Sequence, residues 1–325
     1  MKRPSIALVT PALADANNGN WQTARRWARM LGHDYRVHLS SAWAKGDEAL
    51  MIALHARRSA ASVAAWHAAH PQRPLVLVLT GTDLYRDIDS DAAAQRSLAL
   101  ADRLVVLNEL GLERLAQELR SKAVVCLQSA PARQPLPKTA RHLRALMVGH
   151  LREEKSPATY FDAALRLAPR TDIVLDHIGA GLDAALADRA RKLAARLPSY
   201  RWLGARPHAE TRRRIQAAHV LVHPSRMEGG AQVVIEAVVS ATPVIASRID
   251  GNVGLLGADY RGYFDWGDAE GLATLLERLR DAPAMLAALT AQCALRAALF
   301  SPEAERRTLL DIVSGLRPAL HETAP

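Results

Sequence analysis

One segment in the second half of the chain combines two carboxylates with a pair of glycines. It runs from His223 to Ser247, and Glu228 is followed directly by Gly229 and Gly230. Seven residues separate Glu228 from Glu236. Two glycines before a helix let the backbone approach a ligand closely, and the first turn of a helix offers unpaired N–H groups to an anion.

Glu236 lies in an apolar stretch, where a carboxylate is costly unless it has a partner. One carboxylate can accept hydrogen bonds from both hydroxyls of a diol, and each such bond is worth roughly 1.5–3 kcal/mol. Taken alone, the spacing is equally consistent with a plain tight turn and with a glutamate that faces solvent or pairs with an arginine.

A second segment, residues 146–157, carries three basic side chains after a buried strand. His150, Arg152 and Lys155 follow Gly149, where that strand is expected to end. Cations at this position can hold a diphosphate, with arginine binding as a fork and lysine as a point charge. The alternative is a loop that pairs its basic residues with the two glutamates between them.

Short apolar runs alternate with helix-period segments along the whole chain, which predicts parallel sheets joined by right-handed crossovers. The candidate strands are Ser5–Thr10, Tyr35–Leu39, Leu50–His55, Leu75–Leu79, Leu104–Leu107, Ala123–Leu127, Leu143–Val148, Asp172–Ile178, Tyr200–Leu203, His219–Val222, Pro243–Ala246 and Tyr260–Phe264.

A proline-rich polar stretch, Pro131 to Arg141, is the best candidate for a linker. We therefore predict a first domain over residues 1–135 and a second over residues 142–301. A final helix of about residues 302–325 is expected to pack back on the first domain. Ligands of such sheets bind beyond the carboxyl ends of the strands, so a cleft between the two domains is the expected site.

The composition narrows the class of protein. The 325 residues carry a net charge of +9, which suits anionic partners such as nucleotides. Much of this charge is arginine on helices, and the run Arg212–Arg214 is interpreted as a solvated helix face. No aromatic–basic stripe indicates nucleic-acid binding. Two cysteines fit a reducing cytoplasm, and no apolar run approaches the roughly 20 residues of a membrane span.

The two segments together resemble the donor-binding half of the GT-B glycosyltransferases, in particular the large retaining family that uses nucleotide sugars. That family carries a G-R-x-x-x-x-K loop and an E-G-x-G…E motif with seven residues between its glutamates. Glu228 and Glu236 match this spacing, and the stretch 241–246 (ATPVIA) continues the pattern. His150 replaces the usual arginine and Ala231 replaces a glycine, so Arg152 is expected to supply the missing charge.

The resemblance implies an α/β fold of GT-B architecture, with two Rossmann-like doubly wound parallel-sheet domains facing an interdomain cleft. It implies that Glu236 binds the ribose hydroxyls, that Glu228 contacts the sugar and that Lys155 holds the diphosphate. The implied catalytic residues are Lys155, Arg152 and Glu228. The implied donor-binding residues are Gly19, His150, Arg206, Gly229, Gly230, Ala231, Gln232 and Glu236.

Two strand ends in the first half carry cationic and hydroxyl side chains, which suit a small anion better than an apolar acceptor. Surface charge at a helix start and an N-cap turn are the alternatives for these two segments. The expected acceptor-binding residues are Asn20, His55, Arg57, Arg58, Thr80, Gly81, Thr82 and Asp83.

These features, with the stretch 149–152 (GHLR), resemble the selenosugar synthases of selenoneine biosynthesis. Those enzymes transfer a sugar from UDP-N-acetylglucosamine, or a similar UDP-sugar, to selenophosphate and form a carbon–selenium bond. The resemblance implies that this chain uses a UDP-sugar and selenophosphate. Three alternatives stay open: an ordinary GT-B transferase acting on a sugar or lipid acceptor, a UDP-sugar epimerase, and a basic nucleic-acid-binding protein.

No metal or other cofactor is expected, because the UDP-sugar is a substrate and the cationic loop can neutralise the diphosphate. Asp87 and Asp89 imitate an Asp-x-Asp metal motif, but they lie in a charged stretch outside the donor half.

Overall fold

The computed structural model describes residues 3–13 and 19–316, and these form two compact units. The first unit comprises the described residues up to Gln128, the short segment Glu228–Gly230 and the residues from Pro302 onward. The second unit comprises Ser129–Met227 and Ala231–Ser301. Of the predicted final helix, residues 317–325 lie outside the described part of the chain.

The first unit is built on a six-stranded parallel sheet of order β2-β1-β3-β4-β5-β6. The two central strands β3 and β4 are buried along their whole length, as expected of a parallel sheet covered on both faces. All six strands predicted for this half are present. They are β1 (Ser5–Val9), β2 (Arg36–Ser40), β3 (Leu50–Leu54), β4 (Leu75–Leu79), β5 (Arg103–Val106) and β6 (Ala123–Val125).

The helices of the first unit cover both faces of this sheet. They are α1 (Gly19–Leu31), α2 (Ala60–Ala69), a π-helical turn (Asp83–Asp87), α3 (Ile88–Ser90), α4 (Ala92–Leu100), a 3-10 turn (Glu109–Leu112), α5 (Gln117–Arg120) and the C-terminal helix Pro302–Ser314. The C-terminal helix is fixed to α1 by a buried carboxylate. Glu305 accepts hydrogen bonds from the side chains of Arg26 and Trp27, each at 2.7 Å.

The second unit repeats the plan with a parallel sheet of order β12-β11-β10-β7-β8-β9. All six strands predicted for this half are present, although the last is only two residues long. They are β7 (Leu143–Val148), β8 (Ile173–Ile178), β9 (Tyr200–Trp202), β10 (Val220–His223), β11 (Val244–Ser247) and β12 (Tyr263–Phe264).

The helices of the second unit begin where the sequence places start signals. Pro157 opens α6, and Asp183 caps α7 by accepting a hydrogen bond from the Leu186 amide at 2.9 Å. The helices are α6 (Pro157–Arg166), α7 (Ala184–Arg196), α8 (His208–Ala217), α9 (Gln232–Val238), α10 (Asp250–Leu256), α11 (Ala269–Asp281) and α12 (Pro283–Ala297), which a 3-10 turn (Ala298–Phe300) extends.

One helical stretch of the described residues, Pro283–Phe300, is long and apolar enough to cross a membrane by length and composition alone. It packs inward through Leu289 and Cys293. A single helix of this kind is a weak indication of a membrane span, since helices of soluble proteins meet the same criterion.

Candidate functional site

Glu236 is a buried carboxylate on the second turn of α9. Its side chain is 6% exposed, and its Oε1 atom lies 2.7 Å from His208 Nε2 and 3.7 Å from Arg212 Nη1. Both partners belong to α8, where they are four residues apart and so lie on one face of the helix. Glu236 therefore does not face solvent, and it has the cationic partner that its apolar setting requires.

The interpretation of Arg212–Arg214 as a solvated helix face is wrong for its first member. Arg212 is only 2% exposed, and its Nη2 atom donates a hydrogen bond to the Pro131 carbonyl at 2.8 Å. Burial lowers the pKa of Arg212, and the nearby Glu236 charge raises it. The run misled because only Arg213 is fully exposed, whereas Arg212 follows His208 by one helical turn and faces the buried carboxylate.

The cationic loop of the second unit is a short turn after β7. Lys155 ends a 3-10 turn, and a Cβ atom at Gly149 would lie 3.5 Å from the Lys155 Cγ atom. Arg152 is exposed and Lys155 is half-buried. Glu153, one of the two glutamates of this loop, pairs at 3.5 Å with Arg226, which lies outside the loop.

His150 does not supply the positive charge that the usual arginine would give. Its Nδ1 atom accepts a hydrogen bond from the Ala180 amide at 3.0 Å, so the proton of the neutral ring is on Nε2. Burial lowers the pKa of His150, and the charges of Arg152 and Lys155 lower it further. A neutral His150 can donate one hydrogen bond from Nε2, while charge is left to Arg152 and Lys155.

The glycine pair of the other segment is required by close backbone contact within the first unit. The Asn108 side-chain amide donates a hydrogen bond to the Gly229 carbonyl at 2.7 Å. A Cβ atom at Gly229 would lie 2.4 Å from the carbonyl carbon of Thr80, and one at Gly230 would lie 2.9 Å from Leu107 Cβ. Glu228, next to this contact, is a buried carboxylate.

Asp83 uses its carboxylate inside the protein. Oδ1 accepts from the amides of Thr80 and Gly81, each at 2.9 Å, and Oδ2 accepts from the amide of Ala56 at 3.0 Å. The Asp83 side chain is fully buried. Asp83 is not an N-cap, because its carboxylate accepts from amides that precede it in the chain and from Ala56. It ties the two strand ends together, and its contact with an acceptor stays a prediction.

His55 directly follows β3 in a left-handed backbone conformation, with φ of 75°. A non-glycine residue in this region is uncommon and is strained unless its surroundings hold it. Its Nε2 atom lies 3.1 Å from Thr82 Oγ1, which joins the two predicted strand ends. Burial lowers the pKa of His55, against an opposing effect of the Asp83 charge.

The two arginines after His55 differ in their surroundings. Arg57 Nε lies 3.1 Å from Asp87 Oδ2, and Arg86 lies 3.0 Å from the other oxygen of Asp87. Arg58 is exposed.

Asp89, the second acid of the imitation metal motif, pairs with Arg114 at 3.1 Å. Among the described residues, no group of three His, Cys, Asp or Glu side chains could hold a metal ion.

The remaining predicted residues lie at the starts of helices. Gly19 and Asn20 open α1, and the Thr23 hydroxyl donates a hydrogen bond to the Gly19 carbonyl at 2.9 Å. Ala231 precedes α9. Gln232, the first residue of that helix, donates a hydrogen bond to the Ser129 carbonyl at 3.0 Å. Arg206 is exposed and lies 3.7 Å from Glu210.

The family profile described as "Glycosyl transferases group 1" matches residues 128–292. This chain belongs to that family. The match includes every residue that the sequence assigned to the cationic loop and to the segment with the two glutamates. A search of curated protein sequences finds no match.

Solved structures share the fold of this group 1 glycosyltransferase. Sucrose-phosphate synthase from Thermosynechococcus elongatus is 18% identical, with a TM-score of 0.75 over 98% of this chain and 100% of that chain. HepE from Anabaena, solved with UDP and glucose, is 15% identical, with a TM-score of 0.74 over 95% of this chain and 99% of the HepE chain. The two parallel six-stranded sheets, with their flanking helices, are the predicted GT-B architecture.

A mutant of TarM from S. aureus, solved with fondaparinux, alpha-GlcNAc-glycerol and UDP, is 14% identical with a TM-score of 0.65. The match covers 82% of this chain but 55% of that chain, so the glycosyltransferase described here spans about half the length of TarM.

Several residues that hold the predicted site residues in place were not identified from the sequence of this glycosyltransferase. A Cβ atom at Gly179 would lie 1.9 Å from the Gly149 carbonyl oxygen, so only glycine fits beside the cationic loop. His177 Nε2 lies 3.1 Å from the same oxygen. Gly179 and Gly181 directly follow β8, and this glycine spacing after a strand is a signal that could have found them. Nothing in the sequence marks Asn108 or Arg212 in the same way.

Proposed function

We propose that this glycosyltransferase transfers a hexosyl or N-acetylhexosaminyl group from a UDP-sugar, with UDP-N-acetylglucosamine preferred, to selenophosphate. The observation that carries the acceptor assignment is the polar, hydrogen-bonded pair of strand ends in the first unit. There His55 and Thr82 lie 3.1 Å apart, beside the exposed Arg58. Neutral donors and cations suit an oxyanion, whereas an apolar acceptor would need an apolar groove.

The donor assignment is supported by family membership and by two features of the second unit. Glu236 is a partnered, buried carboxylate of the kind that can accept hydrogen bonds from a ribose diol. Lys155 and Arg152 follow the carboxyl end of β7, where a diphosphate can bind. HepE and the TarM mutant, which share the fold, were solved with UDP, and this supports a uridine nucleotide here.

The remaining predicted donor-binding residues have proposed roles around the same UDP-sugar. His150 donates one neutral hydrogen bond, and the backbone of Gly229–Gln232 faces the sugar and diphosphate beside Glu228. Arg206 approaches the base, and Gly19 borders the donor at the start of α1, where a Cβ atom would have no neighbour within 4 Å among the described residues.

The reaction breaks the bond between the anomeric carbon and the UDP oxygen, and it forms a bond between that carbon and selenium. The electron pair of the broken bond leaves with UDP, and the products are UDP and a selenophosphate glycosylated on selenium. Selenophosphate is already an anionic nucleophile, so no strong general base is required. The enzyme aligns the acceptor and stabilises the departing diphosphate through Lys155 and Arg152. No metal ion is assigned to this step.

The acceptor-side residues divide into ligands and supports. Thr80, Thr82 and Arg58 are the proposed ligands of the selenophosphate oxygens, and Arg57 is a weaker one because it pairs with Asp87 at 3.1 Å. His55 supports this acceptor site by orienting Thr82, since its Nε2 atom lies 3.1 Å from Thr82 Oγ1 and its Nδ1 atom accepts from the Arg58 amide. Asp83 and Gly81 shape the turn, and Asn20 borders the site at the start of α1. Arg58→Ala is therefore expected to raise the KM for selenophosphate more than Arg57→Ala does.

The test supplies UDP-N-acetylglucosamine with and without selenophosphate and follows both UDP release and the products by mass spectrometry. We expect selenophosphate to stimulate UDP release and to yield a selenium-bearing sugar, with thiophosphate a weak substitute. Good transfer to an alcohol or lipid, with no selenium-bearing product, would assign the chain to the ordinary GT-B transferases. UDP-sugar turnover without any acceptor would indicate an epimerase.

A further inference from the structure

Arg212 has a buried guanidinium, and the stability of the second unit does not by itself explain why this charge is buried. It is 2% exposed, and its Nε atom has no hydrogen-bond partner among the described residues. Replacing a buried ion pair by apolar side chains of similar volume is often neutral or stabilising. A buried arginine with an unsatisfied donor therefore indicates a role beyond packing.

The rest of the guanidinium is held rigidly around one carboxylate. Nη1 lies 3.7 Å from Glu236 Oε1, while Nη2 donates to the Pro131 carbonyl at 2.8 Å and lies 3.4 Å from Ser240 Oγ. Because arginine keeps its proton under all ordinary conditions, this charge is permanent. Glu236 thus has a fixed cation on the side that faces the protein interior.

His208 occupies the same oxygen from the solvent side. Its Nε2 atom lies 2.7 Å from Glu236 Oε1, and its side chain is 64% exposed, so most of its surface is free of packing contacts. Both the His208 contact and the Arg212 contact are with Oε1, and within the described residues no hydrogen bond joins a partner to Glu236 Oε2. The carboxylate therefore has one oxygen without a hydrogen-bond donor, and the other is shared with an exposed partner.

We propose that Arg212 is the positioning residue that holds the Glu236 carboxylate aimed at a ribose diol, and that His208 yields Oε1 when the nucleotide binds. This inference rests on the proposed function in one respect, which is that Glu236 binds the ribose. Two hydroxyls can donate to one carboxylate only if the carboxylate is held in a fixed orientation and both of its oxygens are accessible. Arg212 secures the first condition, and withdrawal of the exposed His208 side chain secures the second.

The experiment measures by calorimetry how strongly each variant prefers UDP over dUDP, which lacks the 2′-hydroxyl. The wild-type protein is expected to prefer UDP by about ten- to a hundredfold, the value of one charge-assisted hydrogen bond. Arg212→Met should reduce this preference to within about threefold of unity, and Arg212→Lys should restore much of it because it keeps the charge. Arg213→Met, on the exposed side of the same helix, is the matched control and should keep the wild-type preference.

The His208→Ala variant tests the second half of the proposal. Its UDP affinity should equal or exceed that of the wild-type protein, because the competitor for Oε1 is gone. Weaker binding together with a reduced preference for UDP over dUDP would overturn the displacement of His208.

The outcomes separate this inference from the proposed function. If Glu236→Gln leaves the preference unchanged, the ribose contact itself is wrong. If Glu236→Gln abolishes the preference while Arg212→Met and Arg212→Lys retain it, only the role of Arg212 is overturned. Should both Arg212 variants fail to fold, the neutral pair Arg212→Met/Glu236→Gln replaces them. It should fold and bind UDP as strongly as Glu236→Gln does, whereas weaker UDP binding would mean that Arg212 acts independently of Glu236.

Discussion

Asp83→Asn is the substitution whose effect follows most directly from the hydrogen bonds at the strand ends of the first unit. The carboxylate accepts from three backbone amides, those of Thr80 and Gly81 through Oδ1 and that of Ala56 through Oδ2. An asparagine amide can place its oxygen in only one of these two positions. Its NH₂ group then faces an amide N–H, and two donors cannot bond to each other.

The magnitude follows from the bond that is lost. The oxygen of the introduced asparagine would keep the pair of amides on the Oδ1 side, so the amide of Ala56 would lose its acceptor in a buried position. Loss of one hydrogen bond to a charged group costs about 1.5–3 kcal/mol. The Ala56 amide should therefore exchange its hydrogen about ten- to a hundredfold faster, provided that exchange follows local opening.

Hydrogen exchange of residues 54–58 and 79–83 is the direct assay. The matched control is Asp89→Asn, because the Asp89 carboxylate is 59% exposed and pairs with Arg114 on the surface, where such pairs contribute little. We also expect Asp83→Asn to raise the KM for selenophosphate more than the KM for the UDP-sugar. Unchanged exchange at Ala56, with the control also unchanged, would refute the turn-forming role of Asp83.

Three further predictions concern the sites around this turn and the cationic loop. Burial lowers the pKa of His177 to about 4, partly offset by its hydrogen bond to Gly149. As the pH falls, His177 therefore binds a proton in the unfolded chain before it does so in the folded protein. The free energy of unfolding decreases by about 3 kcal/mol in all between about pH 6.5, near the pKa of an unfolded histidine, and the pKa of folded His177. His177→Gln should make the urea midpoint of unfolding less dependent on pH in this range. A midpoint that changes with pH as much as that of the wild-type protein would contradict the prediction. Gly229→Ala should cut kcat/KM at least about tenfold, since its Cβ would lie 2.4 Å from the Thr80 carbonyl carbon; wild-type kinetics would exclude the close contact. Transfer should survive a chelator, and an absolute Mg²⁺ or Mn²⁺ requirement would overturn the account of the cationic loop.

The fold could be predicted almost completely because parallel strands buried on both faces are read from sequence as short apolar runs. All twelve predicted strands are present, and β7 has the predicted bounds. The largest difference is β12, where the prediction began at Tyr260 and the strand begins at Tyr263. Tyr260 instead packs its hydroxyl against the backbone of Val244, a tertiary contact that local pattern cannot show.

The candidate site could be predicted only in part, because the identity of a residue does not fix its partners. Glycine spacing singled out Gly229 for a close approach to a ligand, whereas the close contact in the structure is with the backbone of Thr80. Charge patterning failed for Arg212, since helical runs of arginine are normally solvated and this one is buried by tertiary contacts with Glu236 and the Pro131 carbonyl. The sequence could not show that the Asp83 carboxylate accepts from three backbone amides, because one of them, that of Ala56, is distant in the chain.

The most direct test of the central claim is nuclear magnetic resonance of the product made from selenophosphate and UDP-N-acetylglucosamine labelled with ¹³C at the anomeric carbon. A one-bond coupling between that carbon and ⁷⁷Se, appearing together with an equal amount of UDP, is the predicted result. UDP release without this coupling, in a sample where the labelled carbon is bonded to oxygen, would contradict the assignment of selenophosphate as the acceptor.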